Sequence, residues 1–250
     1  NGFTLGNYAG VNTASYTYVA WNWKAGGAPS INTDGQNTSA LVSANPAAGF
    51  SIATFTGNGT NGSSVGHGLN AVPELWIWKR TSVAASDWIV AGKDINNYQG
   101  YLTLNGTGTP TIDTAMLAPD SSKIKFPLGS PTFNGSGQDA IIYSWHSIAG
   151  YSKVGTYTGL GSGGPLTVNM GFAPTLGLIK RTDSTGGWRM FDTVRGTDKS
   201  LQANSSAAEY DDVSNYIDFT STGFYFSTSQ ANPDINAAGG TYIYLAIKEN

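Results

Sequence analysis

Pro73-Glu74-Leu75-Trp76-Ile77-Trp78-Lys79-Arg80-Thr81 and Pro174-Thr175-Leu176-Gly177-Leu178-Ile179-Lys180-Arg181-Thr182 are one phrase written twice, 101 residues apart. Each is a short apolar run ended by a Lys-Arg pair and opened by proline, the signature of a strand bounded by turns. The match extends outward in both directions. Phe55-Thr56-Gly57-Asn58-Gly59 returns as Tyr157-Thr158-Gly159-Leu160-Gly161, and Trp88 returns as Trp188. Leu102 with Asn105 matches Leu201 with Asn204, and Asn134 with Ile141 matches Asn236 with Ile243. A period of this length points to a repeat architecture.

The N-terminal segment repeats the last part of the same unit. Gly2-Phe3-Thr4-Leu5 resembles Gly223-Phe224-Tyr225-Phe226, and Asn12, Thr17, Tyr18 and Lys24 align with Asn236, Thr241, Tyr242 and Lys248. The chain therefore divides into a partial copy (1–27), a linker (28–48) and two full copies (49–149 and 150–250). The 28–48 stretch is rich in Ser, Asn, Thr, Ala and Pro, as linkers are. The partial copy has two readings: the end of an upstream unit, or strands that complete a sheet in a later copy.

Local patterns predict an all-β fold of two tandem β-sandwich repeats of about 100 residues, packed side by side. Tyr16–Trp23, Ser51–Thr56, Leu75–Lys79, Trp88–Ala91, Ala140–Trp145, Leu176–Lys180 and Thr241–Ile247 read as strands. No segment sustains a 3.6-residue apolar period with a cap and a stop. The best helix candidates are short, at Ser205–Asp212 and Thr114–Leu117.

Composition narrows the function classes. Charged residues are 12% of the 250 and glycine is 33 of them, so polarity comes from amides and hydroxyls. The net charge of −3 and the lack of a basic tract argue against a nucleic-acid partner. There is no cysteine, hence no disulfide scaffold and no thiolate metal site. No apolar run reaches a membrane span and no signal-peptide pattern is present, so membrane insertion is not expected. The start at Asn1 without Met reads as a processed or truncated piece.

Catalytic constellations are sparse, and no catalytic residue or cofactor is expected. The two histidines, His67 and His146, have no histidine counterparts in the other copy. Only three glutamates occur, Glu74, Glu209 and Glu249, which leaves little for paired-carboxylate chemistry. Glu209, Asp211 and Asp212 form the one acidic cluster, whose readings are a solvated face or a Ca²⁺ site. Lys79-Arg80 and Lys180-Arg181 suggest a structural task at a strand end, such as covering an apolar edge or pairing with Asp87 or Asp183. Six Asn-x-Ser/Thr sequons are explained by composition. Among the aromatics, Trp21, Trp23 and Trp145 sit in equivalent terminal strands, and Trp88 and Trp188 are shared. Trp76 and Trp78 belong to the first copy alone, where the second has Gly177 and Ile179. They read either as core packing or, if exposed together, as a carbohydrate-stacking pair.

Several phrases together carry a family resemblance. They include Asn1-Gly-Phe-Thr-Leu-Gly, Thr17-Tyr-Val-Ala-Trp-Asn-Trp-Lys-Ala-Gly-Gly27, Asn32-Thr-Asp-Gly35 and Ala48-Gly-Phe-Ser-Ile52. Phe55-Thr-Gly-Asn-Gly-Thr60, Val65-Gly-His-Gly-Leu69, Gly150-Tyr-Ser-Lys153 and Asn236-Ala-Ala-Gly-Gly-Thr-Tyr-Ile-Tyr244 belong to the same set. The chain resembles a domain of unknown function in virion proteins of tailed, especially marine, bacteriophages, where it often follows a SPRY- or lectin-like module. The resemblance implies a virion location and a structural, non-enzymatic role in a tail fibre, spike or adsorption apparatus. Capsid decoration or a head fibre is one alternative, and a carbohydrate-binding receptor module is another. Implied partners are other virion proteins, copies of this chain (a trimer among the options) and, for the receptor alternative, a host surface glycan. His67 falls inside a matching phrase and so reads as a turn residue of the family. A polysaccharide-cleaving enzyme is the remaining class, and it would require two carboxylates in a cleft.

Overall fold

The computed structural model describes residues 2–128, 131–211, 217–228 and 232–249. Its strands in chain order are β1 (Ser30–Asn32), β2 (Ala40–Asn45), β3 (Phe50–Thr56), β4 (Ser64–Gly66), β5 (Leu75–Arg80), β6 (Ile89–Gly92), β7 (Gly100–Thr103), β8 (Thr111–Ile112), β9 (Lys123–Lys125) and β10 (Asp139–Trp145). They continue as β11 (Ser152–Thr158), β12 (Leu166–Asn169), β13 (Leu176–Arg181), β14 (Trp188–Asp192), β15 (Lys199–Gln202), β16 (Tyr210–Asp211), β17 (Asp218–Thr220), β18 (Gly223–Phe226) and β19 (Thr241–Ile247). Two one-turn α-helices accompany them, α1 (Ala9–Asn12) and α2 (Pro131–Asn134). The fold is all-β.

One large sheet has the order β1-β2-β3-β10-β5-β6-β7-β8, and the other β11-β19-β13-β14-β15-β16. Without β1 and β2, the two orders correspond strand for strand. Two small sheets correspond as well: β4 pairs with β9, while β12 pairs with β18, which also pairs with β17. All pairings are antiparallel, so each strand turns alternate side chains to opposite faces.

That alternation builds three cores. On β5, Trp76 and Trp78 enter one cluster with Ile124, Phe126 and Phe133, under the β4–β9 pair. Leu75 and Ile77 enter a second, which also holds Leu176, Leu178, Ile243 and Leu245 of the other large sheet. Ile179, Tyr242 and Tyr244 enter a third with Phe224 and Phe226. The layers therefore run small sheet, large sheet, large sheet, small sheet. The two large sheets face each other across a shared core, which is closer than a side-by-side contact of separate sandwiches.

Shared turn chemistry accompanies the shared strand order. The Asn134 carboxamide oxygen accepts from the Asn58 backbone at 3.2 Å, and that of Asn236 accepts from the Leu160 backbone at 2.9 Å. Both fix the turn after the first strand of the unit. Gly57 and Gly159 lie so close to the opposing 134–135 and 236–237 backbone that a Cβ would fall 2.3 and 2.4 Å from a carbonyl oxygen.

Five expectations change. Residues 28–48 are not a linker through their length, because β1 and β2 add to the free edge of β3. Sheet hydrogen bonding outweighs the polar composition there. Tyr16–Trp23 has strand-like sequence yet joins no sheet. Residues 2–27 thus complete neither large sheet. Thr114–Leu117 and Ser205–Asp211 are not helical; Asp113 instead caps a turn at Ala115, and Tyr210–Asp211 pairs with β15. Asp212 lies outside the described residues.

Candidate functional site

Trp76 and Trp78 do not form an exposed pair. They are 2% and 1% exposed, stacked on Tyr98 at 5.9 Å and packed on Phe133 at 5.0 Å between ring centroids. Even-numbered positions of β5 turn to the face covered by β4 and β9, so neither ring can meet a sugar. The second unit explains their presence. A Cβ on Gly177 would stand 2.7 Å from the Phe224 ring, so phenylalanine fills from the small sheet the space that Trp76 fills from the large one.

Aromatic surface is instead exposed between the two large sheets. A cleft of about 430 Å³ opens there, lined by Trp21, Trp23, Trp88, Tyr143, Trp145 and Met190 among others. Trp88 stacks on Tyr143 at 6.4 Å with the ring planes 30° apart, and the Lys79 ammonium lies 5.5 Å from the Trp88 ring centre. Trp23 meets Trp145 edge-on at 6.1 Å and Phe50 at 6.4 Å. Trp21 is pinned by its own bond, with Nε1 donating to Asp192 Oδ2 at 3.0 Å. Burial works to raise Asp192, but bonds from the Arg195 backbone and guanidinium and from Trp21 hold its carboxyl below the usual range. The sequence signal for this cleft is the alignment of Trp21 with Tyr143 and of Trp23 with Trp145; that they converge follows only from stacking the sheets.

Other sequence candidates are used internally. His67 is wholly buried. Its Nδ1 accepts from the Leu69 backbone at 3.1 Å and its Nε2 meets the Asp120 carbonyl at 3.1 Å. Burial pushes its pKa down, which favours the neutral ring. Glu209 and Asp211 face cations: Arg195 pairs with Glu209, and Lys199 lies 3.9 Å from Glu209 and 3.8 Å from Asp211. Among the described residues, no group of three or more acidic or histidine side chains is placed to hold a metal ion. Arg181 pairs with Asp183 at 2.9 Å, while Asp87 bonds Asn105 and Lys79 reaches the Ser86 carbonyl. Lys180 is wholly buried, and burial lowers its pKa to about 8.

One family model, a domain of unknown function designated DUF7483, matches residues 1–250. The chain belongs to this family. The match takes in the N-terminal arm together with both large sheets. No curated protein and no solved structure matches this DUF7483 chain. No helix among the described residues is long and apolar enough to cross a membrane.

Proposed function

We propose that this chain is a structural, non-enzymatic module on the outer surface of a tailed-bacteriophage particle, in a tail fibre, spike or other part of the adsorption apparatus. Its partners there are other virion proteins and further copies of itself. The observation that carries this reading is mechanical. Two β units are stacked through their large sheets over one continuous apolar core, a stiff frame that can display loops. Sequence resemblance to virion domains supports the proposed location. Neutral polar surfaces and freedom from cysteine chemistry suit a protein that persists outside cells. Electron cryomicroscopy of the particle tests it: density on fibres or the tail tip is expected. Density coating the capsomers would make the module a capsid decoration or head fibre, and its absence from the particle would overturn the reading.

The cleft favours a second reading, a carbohydrate-binding receptor module. Trp88 and Tyr143 are half-buried aromatic faces of the kind on which pyranose rings stack, in place of Trp76 and Trp78. On a glycan array, Trp88→Ala and Tyr143→Ala would abolish a signal given by the folded parent chain. A parent chain that binds no glycan would remove this reading.

A further inference from the structure

We infer that the core between the large sheets is built for three units, and that its aromatic cleft receives a third unit of the same ~100-residue kind, with Tyr16–Lys24 as its last strand. The first support is positional. Thr17–Lys24 aligns residue by residue with Asp139–His146 and Thr241–Lys248. Trp21 and Trp23 thereby correspond to Tyr143 and Trp145 of β10 and to Leu245 and Ile247 of β19. All six pack at the same core. Yet β10 lies between β3 and β5, and β19 lies between β11 and β13, whereas 17–24 has no flanking strand among the described residues. One wall of the core is present only as a segment that lies outside every sheet.

The second support is exposure. Phe3, Leu5 and Tyr18 are 61%, 44% and 48% exposed, while their counterparts Phe224, Phe226 and Tyr242 are all 0% exposed. The segment through residue 23 carries no charged side chain, so no charge repulsion opposes strand pairing. These residues have the pattern of a packed unit without the unit.

The third support is a contact made once where the repeat calls for it twice. Trp88 and Trp188 share local bonds: their backbone N–H groups donate to Asn105 at 2.9 Å and to Asn204 at 2.7 Å. Trp188 is then capped by the first unit, with Nε1 donating to the Thr103 carbonyl at 2.8 Å and the neighbouring Gly186 N–H donating to Thr107 at 2.9 Å. Trp88 has no such cap among the described residues, and it lines the cleft. Head-to-tail contacts of this kind close into rings when the rotation allows. The missing cap is the 103–107 loop of a unit that would precede the first. The occupant is thus specified: strands equivalent to β3 and β5 flanking residues 17–24, and a loop reaching Trp88. This continues the interface that Trp21 and Trp23 already make.

The test adds the unit. Residues 49–138 are joined directly to Thr17, so that the arm takes the place of β10, and residues 150–240 are joined to Thr17 in a second version. Trp88 accessibility is read as acrylamide quenching lost on Trp88→Phe, alongside sedimentation of the 250-residue chain. The expected result is a severalfold drop in Trp88 quenching in an extended chain, with Tyr18 protected from modification. Trp88 left as accessible in both extended chains as in the 250-residue chain would overturn the proposal. So would self-association of the 250-residue chain that shields Trp88 unaided, since a second copy would then be the occupant.

Discussion

The two units fill one and the same slot from opposite sides. In the first, the large sheet supplies Trp76 and the small sheet supplies Ile124. In the second, the large sheet supplies Gly177 and the small sheet supplies Phe224. Both cores close, because packing responds to total volume and shape across the interface and not to the residue at one position. A tryptophan unique to one copy is therefore a poor pointer to a binding site when its partner across the core has shrunk in step. The cleft tells the converse story: Trp88 and Trp188 are the same residue in the same local hydrogen bonds, yet one is capped and the other lies open.

The comparison can be broken most severely at Trp76. Trp76→Ala should cost about 3–5 kcal/mol in chemical denaturation, since no small-sheet side chain collapses into the space. Adding Ile124→Phe should recover part of it, with a coupling of about 0.5–3 kcal/mol in a double-mutant cycle. Strict additivity of the two changes would mean that they do not share the slot.

Next in size is Lys180, depressed by burial from 10.5 to about 8. In the unfolded chain this amine keeps its proton to higher pH than in the folded one. Stability should therefore rise with pH from 8 toward 10.5, by about 3 kcal/mol across the full window. Buried Tyr157 and Tyr242, whose pKa values are raised by burial, oppose the rise above pH 10, so the slope is best measured below it. Lys180→Met should flatten this slope and stabilise the chain at neutral pH. An unchanged slope in the variant would assign the effect elsewhere.

Gly177→Ala comes third. Its Cβ would press on the Phe224 ring, at a cost of about 1–3 kcal/mol that Phe224→Leu should relieve. A neutral Gly177→Ala would show that the small sheet yields, and that the two slots differ in stiffness as well as in filling.

The smallest effect expected is at His67, which has no histidine counterpart in the second unit. Its folded pKa is lowered by burial, so the unfolded state takes up the proton first as pH falls below 6.5. The melting temperature should begin to fall there, and His67→Gln should remove that part of the acid dependence. Asp120, held below the ordinary carboxylate range against burial by bonds from Ser122, Lys125 and Lys123, adds a separate loss below pH 3.8.

Much of the fold is legible in the residues themselves. Runs of β-branched and aromatic residues between glycines and prolines place β3, β5, β6, β10, β13 and β19 within a residue or two. The paired Asn134 and Asn236 mark turns that do prove equivalent. The 28–48 stretch misleads because its polar residues mask a short strand, β2, that buries only Ala40 and Val42 and holds its place by backbone bonds to β1 and β3. Residues 16–24 mislead for the opposite reason, because strand-like residues form a ladder only when neighbours are present.

The amino-acid sequence alone determined the all-β class and showed the recurrence of its phrases, because these depend on local propensity and on internal likeness. Only the tertiary structure decided which face of each strand is covered. It buried Trp76 and Trp78, opened Trp88 and Tyr143, and brought both large sheets onto one core. Burial depends on what another part of the chain places about 5 Å away, and neither composition nor spacing carries that information.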